Sequence, residues 1–239
     1  MSFQELIRKE TPIGWCPGCG LYGTFYAACE VIDESNNPNT VIVSGIGCTG
    51  RGSGYFYLDS VHGLHGRAIP LAVGVKISNP KLDVIVFSGD GDLLGIGGNH
   101  LLHAARRNDD ITIICNNNEV FAMTGGQVAP TTRLGSITTT TPKGNTAESI
   151  NAQAIILSNK KHFYARSSPI FKEHFKSCLK EAKNHNGFSF IELINPCITN
   201  VGRLGKTPAQ IFGEIKEKYK IINDNRPLED NELGIVKNG

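Results

Sequence analysis

Four short apolar runs rich in β-branched residues recur along the chain, 40-TVIVS-44, 83-DVIVFS-88, 111-ITIIC-115 and 188-FSFIELI-194, each bounded by Gly, Asn or Pro. Runs of this length with little polar alternation suit strands buried on both faces. Apolar residues also return at helical spacing over roughly 20–34 (Leu21, Phe25, Ala28, Cys29, Ile32), near 93–107 and over 169–184. Strands that alternate with helices predict an α/β fold, a parallel sheet with helices on both faces. At 239 residues and 40% hydrophobic, one such domain can bury a sizeable core.

The expected sheet and its sites occupy residues 1–200, with no repeat of fixed period. The segment 130-PTTRLGSITTTTPKGN-145 is too rich in Thr, Pro and Gly for a regular element and reads as a long loop facing a ligand or partner. Over 201–239 the character changes: 207-TPAQIFGEIKEKYKII-222 reads as one charged helix, followed by a polar extended tail suited to subunit contact.

Several classes are disfavoured. The net charge is only +2, and basic residues cluster no further than pairs such as Arg106 and Arg107, so neither nucleic acid nor an anionic membrane is an expected partner. The opening MSFQELIRKETPIGW mixes acids and bases before any apolar run, unlike a secretion signal, and no apolar stretch has membrane-spanning length. Seven cysteines, an odd number, suit a reducing cytoplasm with thiols free or bound to metal.

The stretch 88-SGDGDLLGIGGNHLLHAARRNDDITIICNNNEV-120 places Asp90 just after one strand and Asn118 just after the next. The 25 residues between Gly91 and Asn117 are enough for one helix and one returning strand, so a right-handed crossover brings both side chains to the same sheet edge. Ligands of open parallel sheets bind at that edge. The Asp90 carboxylate, the Asn118 amide oxygen and the Val120 carbonyl are hard oxygen donors suited to Mg²⁺, and Gly89 and Gly91 let backbone approach a diphosphate. A lone GDG is more often a tight turn with capping asparagines. The spacing and the repeated asparagines favour the cation site.

GDG, about 25 residues and then NN resembles the diphosphate-binding motif of thiamine diphosphate enzymes. With 64-LHGRAIPLAVGVKISNP-80 and 123-MTGGQVAPTT-132, residues 12–200 resemble the β subunit of 2-oxoacid:ferredoxin oxidoreductases. That resemblance implies oxidative decarboxylation of a 2-oxoacid with coenzyme A and ferredoxin. It assigns Asp90, Asn118 and Val120 to Mg²⁺, and Gly45, Ile46, Gly47, Cys48, Gly91 and Asp92 to the thiamine diphosphate, with Gly89, Met123 and Thr124 completing the lining. His65 is the candidate for cofactor contact or proton handling, with a hydrogen-bonded structural role as its alternative. Arg67 suits a phosphate, a carboxylate or a plain salt bridge, and His62, His100 and His103 are weaker candidates.

Read by themselves, the cysteines of 16-CPGC-19, Cys48 and Cys197 allow zinc, a redox pair or a structural role. Cys48 and Cys197 each follow a strand, which places them at the edge that carries Asp90. By resemblance, Cys16, Cys19, Cys48 and Cys197 hold one [4Fe–4S] cluster, while Cys29, Cys115 and Cys178 pack in the core.

The resemblance further implies an α subunit with the pyrimidine-binding domain and its glutamate, a hetero-oligomer inactive without it, and room for a ferredoxin-like subunit. Met123 favours 2-oxoglutarate over pyruvate or branched-chain 2-oxoacids, whereas Ala122, where relatives commonly carry glycine, leaves the pocket's size open. Two alternatives stand beside this reading: a non-oxidative thiamine diphosphate decarboxylase subunit with structural zinc, and a zinc-stabilised binding module.

Overall fold

The computed structural model describes residues 3–238, and within them the apolar runs pair as central strands. In chain order the elements are α1 (Leu21–Ser35), β1 (Thr40–Ser44), β2 (Asp59–His62), α2 (Ala68–Ser78), β3 (Asp83–Gly89), α3 (Gly98–Arg107) and β4 (Thr112–Asn117). There follow the short strands β5 (Val120–Phe121) and β6 (Gln127–Val128), then α4 (Ala152–Leu157), β7 (His162–Ser167), α5 (Lys172–Asn184) and β8 (Ser189–Ile194). The chain ends with α6 (Ile198–Gly202), α7 (Pro208–Lys218), β9 (Lys220–Ile221) and β10 (Glu232–Asn238). Eight strands form one sheet in the order β2, β1, β3, β4, β8, β7, β10, β9, and every pairing is parallel except β10 against β7.

Successive strand residues point to opposite faces, so each strand feeds two cores. Ile42, Ile85, Phe87, Ile114 and Ile191 pack with α1 and α5, whereas Val41, Val43, Val84, Val86, Ile113 and Phe190 pack with α2, α3 and α4. Phe25 of α1 is fully buried, edge-on to Phe56 at 4.6 Å between ring centroids and to Trp15 at 5.8 Å. Its truncation, Phe25→Ala, is expected to cost about 3–5 kcal/mol, read as a lower urea midpoint at unchanged m-value.

Several elements differ from the sequence expectation. The 93–107 helix is interrupted: a wide π-type turn, Gly91–Ile96, precedes α3. Gly97 marks the break, since its N–H reaches Asp92 O at 2.8 Å and a Cβ there would stand 2.6 Å from that oxygen. The 169–184 helix begins only at Lys172, and the 207–222 helix stops at Lys218, because Lys220 and Ile221 pair with β10. The start of α7 follows its local code, with Thr207 and Gln210 forming a capping box around Pro208. Strand β4 runs on to Asn117, leaving Asn118 as the first residue beyond the ladder. Strands β2, β7 and β10 and helices α2, α4 and α6 go beyond the sequence expectation. β2, DSVH, is mostly exposed and polar, and only its register against β1 makes it a strand.

Candidate functional site

Strands β3 and β4 are parallel neighbours, so Asp90 and Asn118 emerge side by side. Asp90 is 1% exposed, and its carboxylate accepts hydrogen bonds from Asn118 N at 3.3 Å, Glu119 N at 3.2 Å and the Thr131 hydroxyl. Burial pushes this carboxyl up to about 6, against the Thr131 hydroxyl and backbone N–H groups, Asn118 first among them, that hold it down. The 118–120 turn is fixed locally: Glu119 adopts a left-handed φ of 63°, and Asn118 Oδ1 accepts from Val120 N at 3.0 Å.

A second carboxylate lies behind the first. Asp92, 2% exposed, accepts from Ser88 Oγ at 2.8 Å, Ile46 N at 3.1 Å and Gly66 N at 2.6 Å, and stands 2.6 Å from His65 Nδ1. One side chain thus ties the loop after β1 to the loop before α2. Gly45 is required for that junction, because a Cβ there would fall 2.0 Å from Asp92 Oδ2. At Gly91 a Cβ would meet the Phe121 ring at 2.4 Å, so the turn after β3 and the loop after β4 close together only around a glycine.

These loops enclose a cleft lined by Ile46, Gly47, Cys48, His65, Gly89, Asp90, Gly91, Asp92, Asn118, Val120, Met123 and Thr124, together with Thr49, Phe121 and Ala122. Every residue expected at the cofactor is in that wall except Gly45, which sits behind it against Asp92.

A cavity of about 250 Å³ adjoins the cleft, and Cys16, Cys19, Cys48 and Cys197 all line it, beside Asn116, Asn195 and Arg51. Cleft and cavity share Cys48, Asn118, Ala122 and Met123. Burial first, with neighbouring Cys197, Cys16 and Cys48 adding to it, pushes the Cys19 thiol up to about 11. The Cys48 thiol is raised for the same reasons, burial first and then Cys197 and Cys16. Trp15 Nε1 donates to Cys48 O at 2.7 Å, and Cys197 Sγ caps α6 by accepting from Asn200 N at 3.5 Å. Among the described residues, no three His, Cys, Asp or Glu side chains are gathered tightly enough to hold a single metal ion. The thiols stand around a void rather than around a point.

Other candidates fall outside both walls. His62 ends the edge strand β2, His100 and His103 lie on α3, and Arg67 precedes α2, its Nη1 donating to Gly66 O at 3.2 Å. Cys29, Cys115 and Cys178 are fully buried in the core. Sequence reasoning gave no role to Ser88, Thr131 or Phe121. Thr131 belongs to the irregular loop and meets Asp90 across 41 positions, a contact without any local pattern.

Residues 35–193 match the family model described as thiamine pyrophosphate enzyme, C-terminal TPP binding domain. The 2-oxoglutarate synthase subunit KorB of Methanocaldococcus jannaschii is 39% identical over 236 residues, covering 97% of this chain and 87% of that protein. The 2-oxoacid:ferredoxin oxidoreductase 1, subunit beta, of Aeropyrum pernix is 41% identical over 194 residues, 80% of this chain and 61% of that protein. A solved 2-oxoglutarate:ferredoxin oxidoreductase from Magnetococcus marinus, with 2-oxoglutarate, coenzyme A and succinyl-CoA bound, superposes with a TM-score of 0.89 at 26% identity, covering 100% of this chain and 85% of the matched one. With its Asp90 and Asn118 loops at one sheet edge and relatives of this identity along nearly its whole length, the chain belongs to the thiamine diphosphate-binding β subunits of the 2-oxoacid:ferredoxin oxidoreductase family.

Proposed function

We propose that the chain carries the thiamine diphosphate, Mg²⁺ and a [4Fe–4S] cluster of an enzyme that converts a 2-oxoacid and coenzyme A to acyl-CoA and CO₂, passing two electrons singly to ferredoxin. The observation that supports this most is the wall shared by cleft and cavity, formed by Cys48, Asn118, Ala122 and Met123. Bound there, thiamine diphosphate would supply an electron sink for decarboxylation, and the cluster a one-electron outlet beside it.

The residues present fit these groups. Asp90, Asn118 Oδ1 and the Val120 carbonyl are the hard oxygens Mg²⁺ prefers, and the donors on Asp90 orient its carboxylate. Backbone at Gly45, Ile46, Gly47 and Cys48, with Gly89, Gly91, Asp92 and Thr124, would line the cofactor. Zinc would draw four thiolates to about 2.3 Å from one point. Thiols spread around a cavity of about 250 Å³ suit the larger cluster better. Asp92 accepts from the loop amides and fixes His65 through Nδ1, which leaves Nε2 as the ring atom that takes or gives a proton. Ile46 and Met123 are exposed at the mouth, where the pyrimidine-binding domain of an α subunit would close the site.

The preference for 2-oxoglutarate over pyruvate or branched-chain 2-oxoacids rests on the relatives named for that substrate and on Met123, whose thioether stands in both walls. Anaerobic co-purification with an α subunit is expected to yield brown protein with iron and sulfide in equal amounts and bound thiamine diphosphate. Turnover with 2-oxoglutarate, coenzyme A and a one-electron dye should exceed that with pyruvate. Colourless protein holding zinc would refute the redox reading, and activity of the chain alone would remove the need for a partner. His65→Gln is expected to lower kcat by roughly a hundredfold, the usual scale for a positioned acid or base, with KM little changed.

A further inference from the structure

A second polar cavity, about 350 Å³, opens between the carboxyl ends of β4, β8 and β7, beside the turn that carries Asn118. Its wall holds two ion pairs. Glu192 is matched by Arg166 at 3.2 Å, by Asn117 Nδ2 at 2.8 Å and by the Tyr164 hydroxyl, with side chains 9% exposed at Glu192 and 11% at Arg166. Glu119 is matched by Arg133 at 2.7 Å, and Arg133 Nη2 donates to the Tyr219 hydroxyl at 3.0 Å. The carboxylates deep in the wall are therefore neutralised. What remains unused is donor capacity: among the described residues, Arg133 Nη1, Arg166 Nη2 and the Lys218 ammonium have no hydrogen-bond or ion-pair partner. Lys218 stands 5.2 Å from the centroid of the Tyr219 ring, and the other acids of the wall, Glu148 and Asp230, are exposed at the rim.

We propose that this cavity is a second ligand site, for a small dianion bearing carboxylate or phosphate groups, held by Arg133, Arg166 and Lys218. Three basic groups from the long loop, β7 and α7 converge on a space large enough for a small metabolite. Guanidinium groups with a free terminal nitrogen are suited to planar oxyanions. The site also reaches the cofactor loops, because Glu119 N and the Thr131 hydroxyl bond Asp90 while their side chains line this cavity. A ligand that engages Arg133 acts on Glu119 and thereby on the Asn118 turn. Anion binding and thiamine diphosphate binding should then be linked, each altering the other's affinity by the same factor. Only this linkage rests on the cofactor reading; the site itself does not.

Calorimetric titration of the co-purified complex with succinate, and separately with inorganic phosphate, tests the site. A saturable heat with succinate alone identifies a carboxylate ligand, and one with phosphate alone a phosphate ligand. Lys218→Gln should weaken the binding about tenfold, the scale of one lost charge-assisted hydrogen bond, and Lys218→Arg should restore it. Turnover without added anion should be unchanged in both variants, since Lys218 lies outside the cleft. Binding whose affinity is unchanged in Lys218→Gln arises elsewhere, such as succinate entering the cofactor cleft, and overturns the proposal, as does absence of heat with both probes. An unchanged thiamine diphosphate affinity at saturating anion would sink the linkage.

Discussion

Asp90→Asn is expected to abolish turnover and to weaken Mg²⁺-dependent thiamine diphosphate binding by at least about a hundredfold, the upper end of what losing a mere supporting partner of a metal ligand costs. The cofactor-free chain should nevertheless melt within a few degrees of the wild type. Burial raises the Asp90 carboxyl from 3.8 to about 6, so charging it opposes folding. The sign is the reverse of a salt-bridged carboxylate: the protonated form favours the fold, and stability is lost as pH rises from about 4 to about 6. That shift corresponds to on the order of 3 kcal/mol, which an uncharged amide does not incur. Against this gain, the asparagine NH₂ would face Asn118 N–H, or Glu119 N–H and Thr131, at a cost of about 1–3 kcal/mol. The two nearly cancel in stability. Titration calorimetry with thiamine diphosphate and Mg²⁺, beside scanning calorimetry without them, separates the effects. Wild-type cofactor affinity in the variant would remove Asp90 from the metal site.

Cys19→Ser is expected to act on electrons alone. Iron content and ferredoxin reduction should fall to background, while thiamine diphosphate binding persists, because Cys19 lines the cavity and not the cleft. Serine keeps the size but replaces a soft thiolate with a poor ligand for iron. The raised Cys19 thiol, about 11, would make assembly of the proposed cluster proton-releasing, so iron incorporation should slow as pH falls. Cys29→Ser is the control: buried on α1 away from both walls, it should lower stability and leave iron unchanged. Equal loss of iron in both variants would mean that folding, not ligation, had failed. A Cys19→Ser chain that still reduces ferredoxin at the wild-type rate would eliminate the four-cysteine cluster.

The legible parts of this chain are those whose physics is local. Strands β1, β3, β4 and β8 are mostly apolar runs because both faces are covered, and the crossover from Asp90 to Asn118 follows from counting residues. The break at Gly97 escaped because GGNHLLHAARR scans as plain helix, and only the Asp92 carbonyl packed beneath Gly97 forbids it. The tail reads as extended, but the place of β10 inside the sheet, antiparallel to β7 and beside β9, escaped because β7 lies far away in sequence. The cavity with Arg133, Arg166 and Lys218 left no trace, since its residues come from separate elements and none repeats at a period.

Sequence by itself determined the α/β class, the edge at which chemistry sits, and the kinds of donor available there, because periodicity and spacing are properties of the chain. Tertiary structure alone decided that Asp92 joins His65 to the Ile46 loop, across 27 and 46 positions, and that the cavity of the four thiols adjoins the cleft of Asp90 across a wall that includes Cys48 and Asn118. Such meetings depend on strand order and on clearances too small for a Cβ, as at Gly45 and Gly91, and neither quantity is written in any short stretch of residues.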